Sequence, residues 1–162
     1  MAHIIQAERL RGARFSSRSA AVRWAATLSV AAAYLHLMVT PAHFQEWWGY
    51  GVFFLAAAIA QASFAGLMLW RPWAWLPMAG IAGNAAIVGM YVLSRTNGVP
   101  LGPHAGRPES AGLLDLGATI AELGIIAALV AVLPRHLARH TVTLLMVGGV
   151  VLWAGRLTGV LL

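Results

Sequence analysis

Histidines and carboxylates are the side chains of this sequence best suited to chemistry, and they are few. The chain of 162 residues contains six histidines, five acidic residues and no cysteine. The lack of cysteine excludes disulfides, thiolate nucleophiles and thiolate-bound metals, so a metal ion would need imidazole, carboxylate or methionine ligands. Imidazole with carboxylate suits zinc, copper(II), iron or manganese, and the sequence does not choose among them. The candidate metal ligands are His36, His43, Glu46, His104, Asp115 and Glu122.

The spacing of these residues places several of them on shared helical faces. His36 and His43 lie on one face of a helix, and Asp115 and Glu122 on one face of another, because residues seven apart are two turns apart. Ionisable side chains inside a membrane turn inward toward partners, so we expect these two faces to point at each other. His43 and Glu46 could form half of a metal site, although membrane-surface anchoring by their aromatic neighbours explains the same segment.

Other polar residues within the apolar segments indicate charge pairs and hydrogen bonds between helices. Arg156 lies at a depth comparable to that of Asp115 and is expected to pair with Asp115 or Glu122. A fixed positive charge there argues against a bound cation unless Glu122 neutralises it. A purely structural alternative stays open, in which these groups only neutralise one another. The residues predicted to hydrogen-bond between helices are Gln61, Asn84 and Thr119.

The composition predicts the elements that position these residues. The chain is 60% hydrophobic and 10% charged, whereas soluble domains are about 45–50% apolar and about 25% charged. An apolar run of about 20 residues can cross a bilayer as a helix. Five such runs lie at residues 20–40, 51–70, 73–93, 113–133 and 142–162. The predicted fold is all-α: a polytopic transmembrane helix bundle over residues 20–162, with a basic N-terminal segment at residues 1–19 and an external Gly/Pro-rich loop.

The distribution of arginine predicts the orientation of the bundle. All eleven basic residues are arginine, and eight of them lie before or at the start of the first span or in the second–third and fourth–fifth connections. Because arginine resists translocation, we expect a cytoplasmic N-terminus and an external C-terminus in a multi-pass protein of the cell membrane. The net charge of +6 then needs no nucleic-acid partner. An alternative takes residues 1–33 as a cleaved signal peptide, although the apolar run continues past Ala33.

Three connections complete the predicted topology. Residues 41–50 are expected to form a short amphipathic turn at the membrane surface, and residues 134–140, with His136 and His140, a solvated loop. Residues 94–112 are rich in glycine and proline, and a loop of that length is often a lid. We expect it to fold over the polar cluster, where His104 and Glu109 could complete the site.

Three segments carry a resemblance to known proteins: residues 36–51 (HLMVTPAHFQEWWGYG), 95–103 (RTNGVPLGP) and 114–122 (LDLGATIAE). They resemble a group of small multi-spanning membrane proteins of high-GC Gram-positive bacteria over most of residues 30–132. The resemblance implies a bacterial inner-membrane protein and carries over no activity and no site residue.

Three functions are compatible with this pattern. The first is a His/carboxylate cluster in the external leaflet that binds or hands over a divalent transition metal ion. The second is a structural or accessory subunit, as a homo-oligomer or with a membrane-protein partner in the lipid bilayer. The third is a proton-coupled or small-solute pathway. No nucleophile elbow, phosphate-binding loop or dinucleotide motif is present, so the sequence does not predict an enzyme.

Overall fold

Five long helices account for most of the part of the chain that the structure describes. In this computed structural model the backbone is described for residues 2–71 and 73–157, and the side chains for residues 16–71 and 73–155. The helices are α1 (Ala2–Glu46), α2 (Trp48–Trp70), α3 (Leu76–Thr96), α4 (Leu113–Val132) and α5 (Arg135–Leu157). Each contains a stretch long and apolar enough to cross a membrane, in α1 from Ser16 onward. The prediction of an all-α bundle with five spans is confirmed, and the chain is a multi-pass membrane protein.

The first connection differs from its prediction. The expected turn over residues 41–50 is wrong: α1 continues through Pro41 to Glu46, and only Trp47 separates it from α2. The Trp47 N–H still donates to the His43 carbonyl at 3.0 Å. A proline removes a single backbone hydrogen bond from a helix. The other backbone hydrogen bonds of the helix remain, so one proline does not end it.

The fourth connection is also shorter than expected. Helix α5 begins at Arg135, directly after Pro134, and the Ala138 N–H donates to the Pro134 carbonyl at 2.9 Å. Proline suits the start of a helix because its missing N–H is one that has no partner there. His136 and His140 therefore lie in the first turns of α5, which corrects the prediction of a loop. The predicted end of the fifth span, residues 158–162, lies outside the described residues.

Helix α1 is central to the packing. It packs against α2 and α4, and α3 packs against α4, whereas the backbones of α2 and α3 come close to each other at few positions. Helix α5 packs mainly against α4 and is exposed over most of its length, with Leu144 72% exposed. A Cβ at Gly124 would lie 2.8 Å from Leu28 Cδ1, so glycine allows α4 to approach α1 closely. The buried apolar core consists of Ala25, Ala32, Met68, Leu76, Ile81, Ala121, Ile125 and Leu129.

Candidate functional site

A buried histidine–glutamate pair joins α1 to α4. His36 Nε2 lies 2.9 Å from Glu122 Oε1, a distance at which an imidazole N–H donates to a carboxylate. The two side chains are 4% and 1% exposed. The Thr40 hydroxyl donates to the His36 carbonyl at 2.7 Å, and the Phe54 ring lies 5.8 Å from the imidazole. The polar faces of α1 and α4 therefore meet at this pair.

A second charged cluster ties the end of α3 to the start of α4. Arg95 Nη2 donates to Asp115 Oδ2 at 2.6 Å, and Arg95 Nη1 donates to Glu109 Oε2 at 2.8 Å. The guanidinium also lies over the Tyr91 ring, 5.1 Å from its centroid. The Gly112 N–H donates to Asp115 Oδ2 at 3.1 Å, which places this carboxylate at the positive end of α4. One arginine thus holds two carboxylates, one on α4 and one on the loop before it.

Asp115 has a partner that the sequence pattern does not predict. Its carboxylate pairs with Arg95, and the side chain of the predicted partner, Arg156, lies outside the described residues. Helix α3 extends to Thr96, three residues beyond the predicted span, so Arg95 is in its last turn and not in a loop. The sequence contains one signal for this contact: an arginine ending one span and an aspartate beginning the next lie at the same membrane surface.

The connection between α3 and α4, residues 97–112, is an ordered loop folded over one end of the bundle, here called the loop side. The Glu109 N–H donates to the Ser94 carbonyl at 3.0 Å, and the Gly106 N–H donates to the Val99 carbonyl at 3.0 Å. The Tyr50 hydroxyl donates to the Leu101 carbonyl at 2.9 Å. The loop is therefore attached to α2 as well as to α3.

Replacing Gly98 by alanine is expected to disrupt this loop. Gly98 has φ +80°, and a Cβ there would lie 2.2 Å from the Arg107 backbone nitrogen. Gly106 is the matched control, because it also has positive φ (+69°) but no atom within 4 Å of the added Cβ. The backbone strain alone costs about 1–2 kcal/mol. Amide exchange of residues 99–106 should accelerate at least tenfold more in Gly98→Ala than in Gly106→Ala, and equal rates would contradict this packing.

The two charged clusters line one cavity on the loop side. Its volume is about 240 Å³, and most of its lining is apolar. The loop contributes Val99, Pro100 and Leu101 to the wall, so the predicted lid does cover the polar groups. The aromatic side chains of the wall are Trp47, Tyr50, Phe53, Phe54 and Tyr91. The ionisable side chains are His36, His43, Arg95, Glu109, Asp115 and Glu122.

The other predicted metal ligands do not assemble around the His36–Glu122 pair. Glu46 is exposed at the end of α1, and His43 Nδ1 donates to the Val39 carbonyl at 2.9 Å. His104 is exposed, with its ring stacked 6.4 Å from that of Tyr50. Among the described residues, no group of three or more histidines and carboxylates is arranged to hold a metal ion. The donor set here is a pair, which does not fit the expected zinc, copper, iron or manganese site.

A polar chain below the cavity links α1, α2 and α3. The Ser29 hydroxyl donates to the Gln61 side chain, and Gln61 Nε2 donates to Asn84 Oδ1 at 2.9 Å. Asn84 Nδ2 donates to the Gly80 carbonyl at 2.7 Å, so this buried amide is paired at both ends. Thr119 lacks the predicted interhelical bond, since its hydroxyl donates to the Asp115 carbonyl of its own helix at 2.9 Å.

These features define the class: a polytopic helical membrane protein with a mostly apolar cavity on one side, a buried His–Glu pair in its wall and an ordered loop over it. Comparisons with known protein families, curated proteins and solved structures find no match for the chain.

Proposed function

We propose that the protein binds a small, mostly apolar molecule in the loop-side cavity, as the binding step of a small-solute pathway. The observation that carries this proposal is the cavity itself: apolar and aromatic walls surround a group of ionisable side chains at the loop side of the bundle. Ligand sites in proteins are mostly apolar cavities with a few convergent polar groups. His36, Glu122 and Arg95 are such groups here.

The size of the cavity limits the ligand. Pockets for drug-sized ligands range from about 300 to 1,000 Å³, and this cavity, at about 240 Å³, is smaller. A compact molecule with one ring or a short chain fits this volume. A hydrophobic molecule of that kind partitions into a bilayer, so the membrane supplies it to a site of this composition.

The other functions suggested by the sequence have weaker support. Metal binding would need ligands beyond the His36–Glu122 pair. An accessory role rests on the exposed apolar face of α5, which a lipid bilayer satisfies as well as a partner does. Co-purification of a stoichiometric membrane partner would favour that role over ligand binding.

The arginine distribution supports an orientation for the site. We propose that the N-terminus is cytoplasmic, because arginine is concentrated before the first span and in the two connections opposite the loop side. The cavity and its loop then belong to the external leaflet of the cell membrane. Labelling of single cysteines introduced into the loop and at the N-terminus of the cysteine-free chain tests this orientation directly.

Filling the cavity tests the proposed function. Ala118 lines the cavity and is 7% exposed, so Ala118→Phe places a ring inside it. Ile120→Phe is the matched control, because it adds a ring on α4 at a site that is 69% exposed. Bromobenzene, a small apolar quencher of tryptophan fluorescence, is titrated into protein in lipid nanodiscs. A saturable component from Trp47 is expected on top of the linear quenching caused by partition into lipid.

Ala118→Phe should weaken the saturable component at least tenfold, and Ile120→Phe should retain it. Quenching without saturation in the unaltered protein, or equal loss in the two variants, would contradict ligand binding in this cavity.

A further inference from the structure

The charge of the cavity wall is opposite to the charge of the whole chain. The chain carries a formal net charge of +6, but the described side chains of the wall include one arginine and three carboxylates. With the histidines counted as neutral, these described groups sum to −2, and with His36 protonated they still sum to −1. An apolar cavity with this excess disfavours anions and favours a positively charged guest.

Half of this excess lies at Glu122, and the other half lies at the cluster of Arg95 with Glu109 and Asp115. Arg95 contacts Glu109 and Asp115, and Asp115 also lies at the positive end of α4. Glu122 has no arginine within ion-pair distance among the described side chains, and its partner is a histidine. A carboxylate that is 1% exposed gains from a cation that replaces lost water.

The aromatic wall supplies the second requirement. Five rings line the cavity, and the Phe54 ring lies beside both histidines, 4.0 Å from the ring of His43 and 5.8 Å from that of His36. Aromatic faces attract quaternary and protonated amines through the negative potential above the ring. The same rings would gain nothing from an anion.

From this charge and these rings we infer that the ligand class is a small lipophilic amine or quaternary ammonium ion, with its cationic end directed toward Glu122 and its apolar body in the aromatic part of the cavity. This inference rests on the proposed function, since it names the ligand of the same cavity. It requires that the preference for positive charge depends on the Glu122 carboxylate.

Two probes of equal shape and different charge test the inference. In 4-bromo-N,N,N-trimethylanilinium a nitrogen cation occupies the position of the central carbon of the tert-butyl group in 1-bromo-4-tert-butylbenzene. Saturable quenching of tryptophan fluorescence in nanodiscs gives a dissociation constant for each probe. The ratio of the two constants, compared between protein variants, is independent of how strongly each probe enters the lipid.

Glu122→Gln should lower the preference for the cation about tenfold relative to the unaltered protein. Glu46→Gln is the matched control, because it makes the same chemical change at an exposed residue outside the cavity lining, and it should leave the preference unchanged. An unchanged preference in Glu122→Gln, or an equal change in Glu46→Gln, would overturn the inference.

A second measurement does not depend on a folded variant. In the unaltered protein, phenyltrimethylammonium should displace the tert-butyl probe at a concentration at least tenfold lower than benzoate does. Displacement by benzoate at equal or lower concentration would overturn the inference while leaving the proposed function standing. Absence of saturable binding by the neutral probe would instead contradict the proposed function.

Discussion

Replacing either His36 or Glu122 by leucine is expected to destabilise the protein by about 3–5 kcal/mol, because the remaining partner is left buried without its hydrogen bond. Replacing both residues by leucine should cost much less than the two single changes added together, since an apolar pair leaves no polar group without a partner. Unfolding in mixed micelles of dodecyl maltoside and increasing dodecyl sulfate, followed by circular dichroism, measures these free energies.

Leu123→Ala is the control for truncation on the same helix, because Leu123 follows Glu122 but is 50% exposed on the outer face of the bundle. Its cost should stay near 1 kcal/mol, as for a side chain that does not fill the core. If the double replacement costs as much as the sum of the single ones, the two side chains are not coupled and the contact between α1 and α4 is incorrect.

Replacing Arg95 by methionine is expected to have the second largest effect, a loss of about 2–3 kcal/mol. Methionine keeps the unbranched apolar stem but leaves Glu109 and Asp115 without their shared cation. This loss of stability is smaller than for a fully buried pair, because solvent screens the charges. The Arg95 side chain is 19% exposed, that of Glu109 37% and that of Asp115 24%. Amide exchange in residues 97–112 should accelerate at least tenfold, because the loop loses the side-chain bond between Glu109 and Arg95 of α3.

Arg107→Met provides the matched control for this variant. Arg107 lies in the same loop with an exposed side chain, so its replacement changes the net charge equally without removing the Arg95 contacts. Its stability should stay within about 0.5 kcal/mol of the unaltered protein. Equal acceleration of exchange in both variants would show that general charge, and not the Arg95 contacts, holds the loop in place.

The parts of the fold that depend on apolar length could be predicted from the sequence. All five spans follow from uninterrupted hydrophobic runs, since hydrocarbon leaves a helix few alternatives. The contact of His36 with Glu122 follows from the same physics, because each lies on a polar face that must turn away from lipid. In both cases the apolar interior of the membrane leaves the chain few arrangements that keep its polar groups away from lipid.

The connections and the identity of the ion pairs were harder to predict. Proline at position 41 favours the end of a helix, but the loss of one hydrogen bond does not end a membrane helix. The turn between α1 and α2 therefore begins later in the chain than the sequence predicts. Depth along each helix places Asp115 level with Arg156, but depth alone does not reveal the contact of Asp115 with Arg95. Arg95 was overlooked because the apolar run stops at Leu93, whereas α3 continues to Thr96.

The separation of His36 and Glu122 along the chain has a consequence for biosynthesis. The glutamate follows the histidine by 86 residues, which corresponds to about 4–17 s of translation at 5–20 residues per second. During that interval α1 must wait in the bilayer with an unpartnered imidazole. A histidine has an uncharged form at neutral pH, whereas a free carboxylate is mostly ionised there. Placing histidine on the helix made first and glutamate on the helix made later therefore lowers the free-energy cost of an unpartnered side chain in the bilayer before α4 is made.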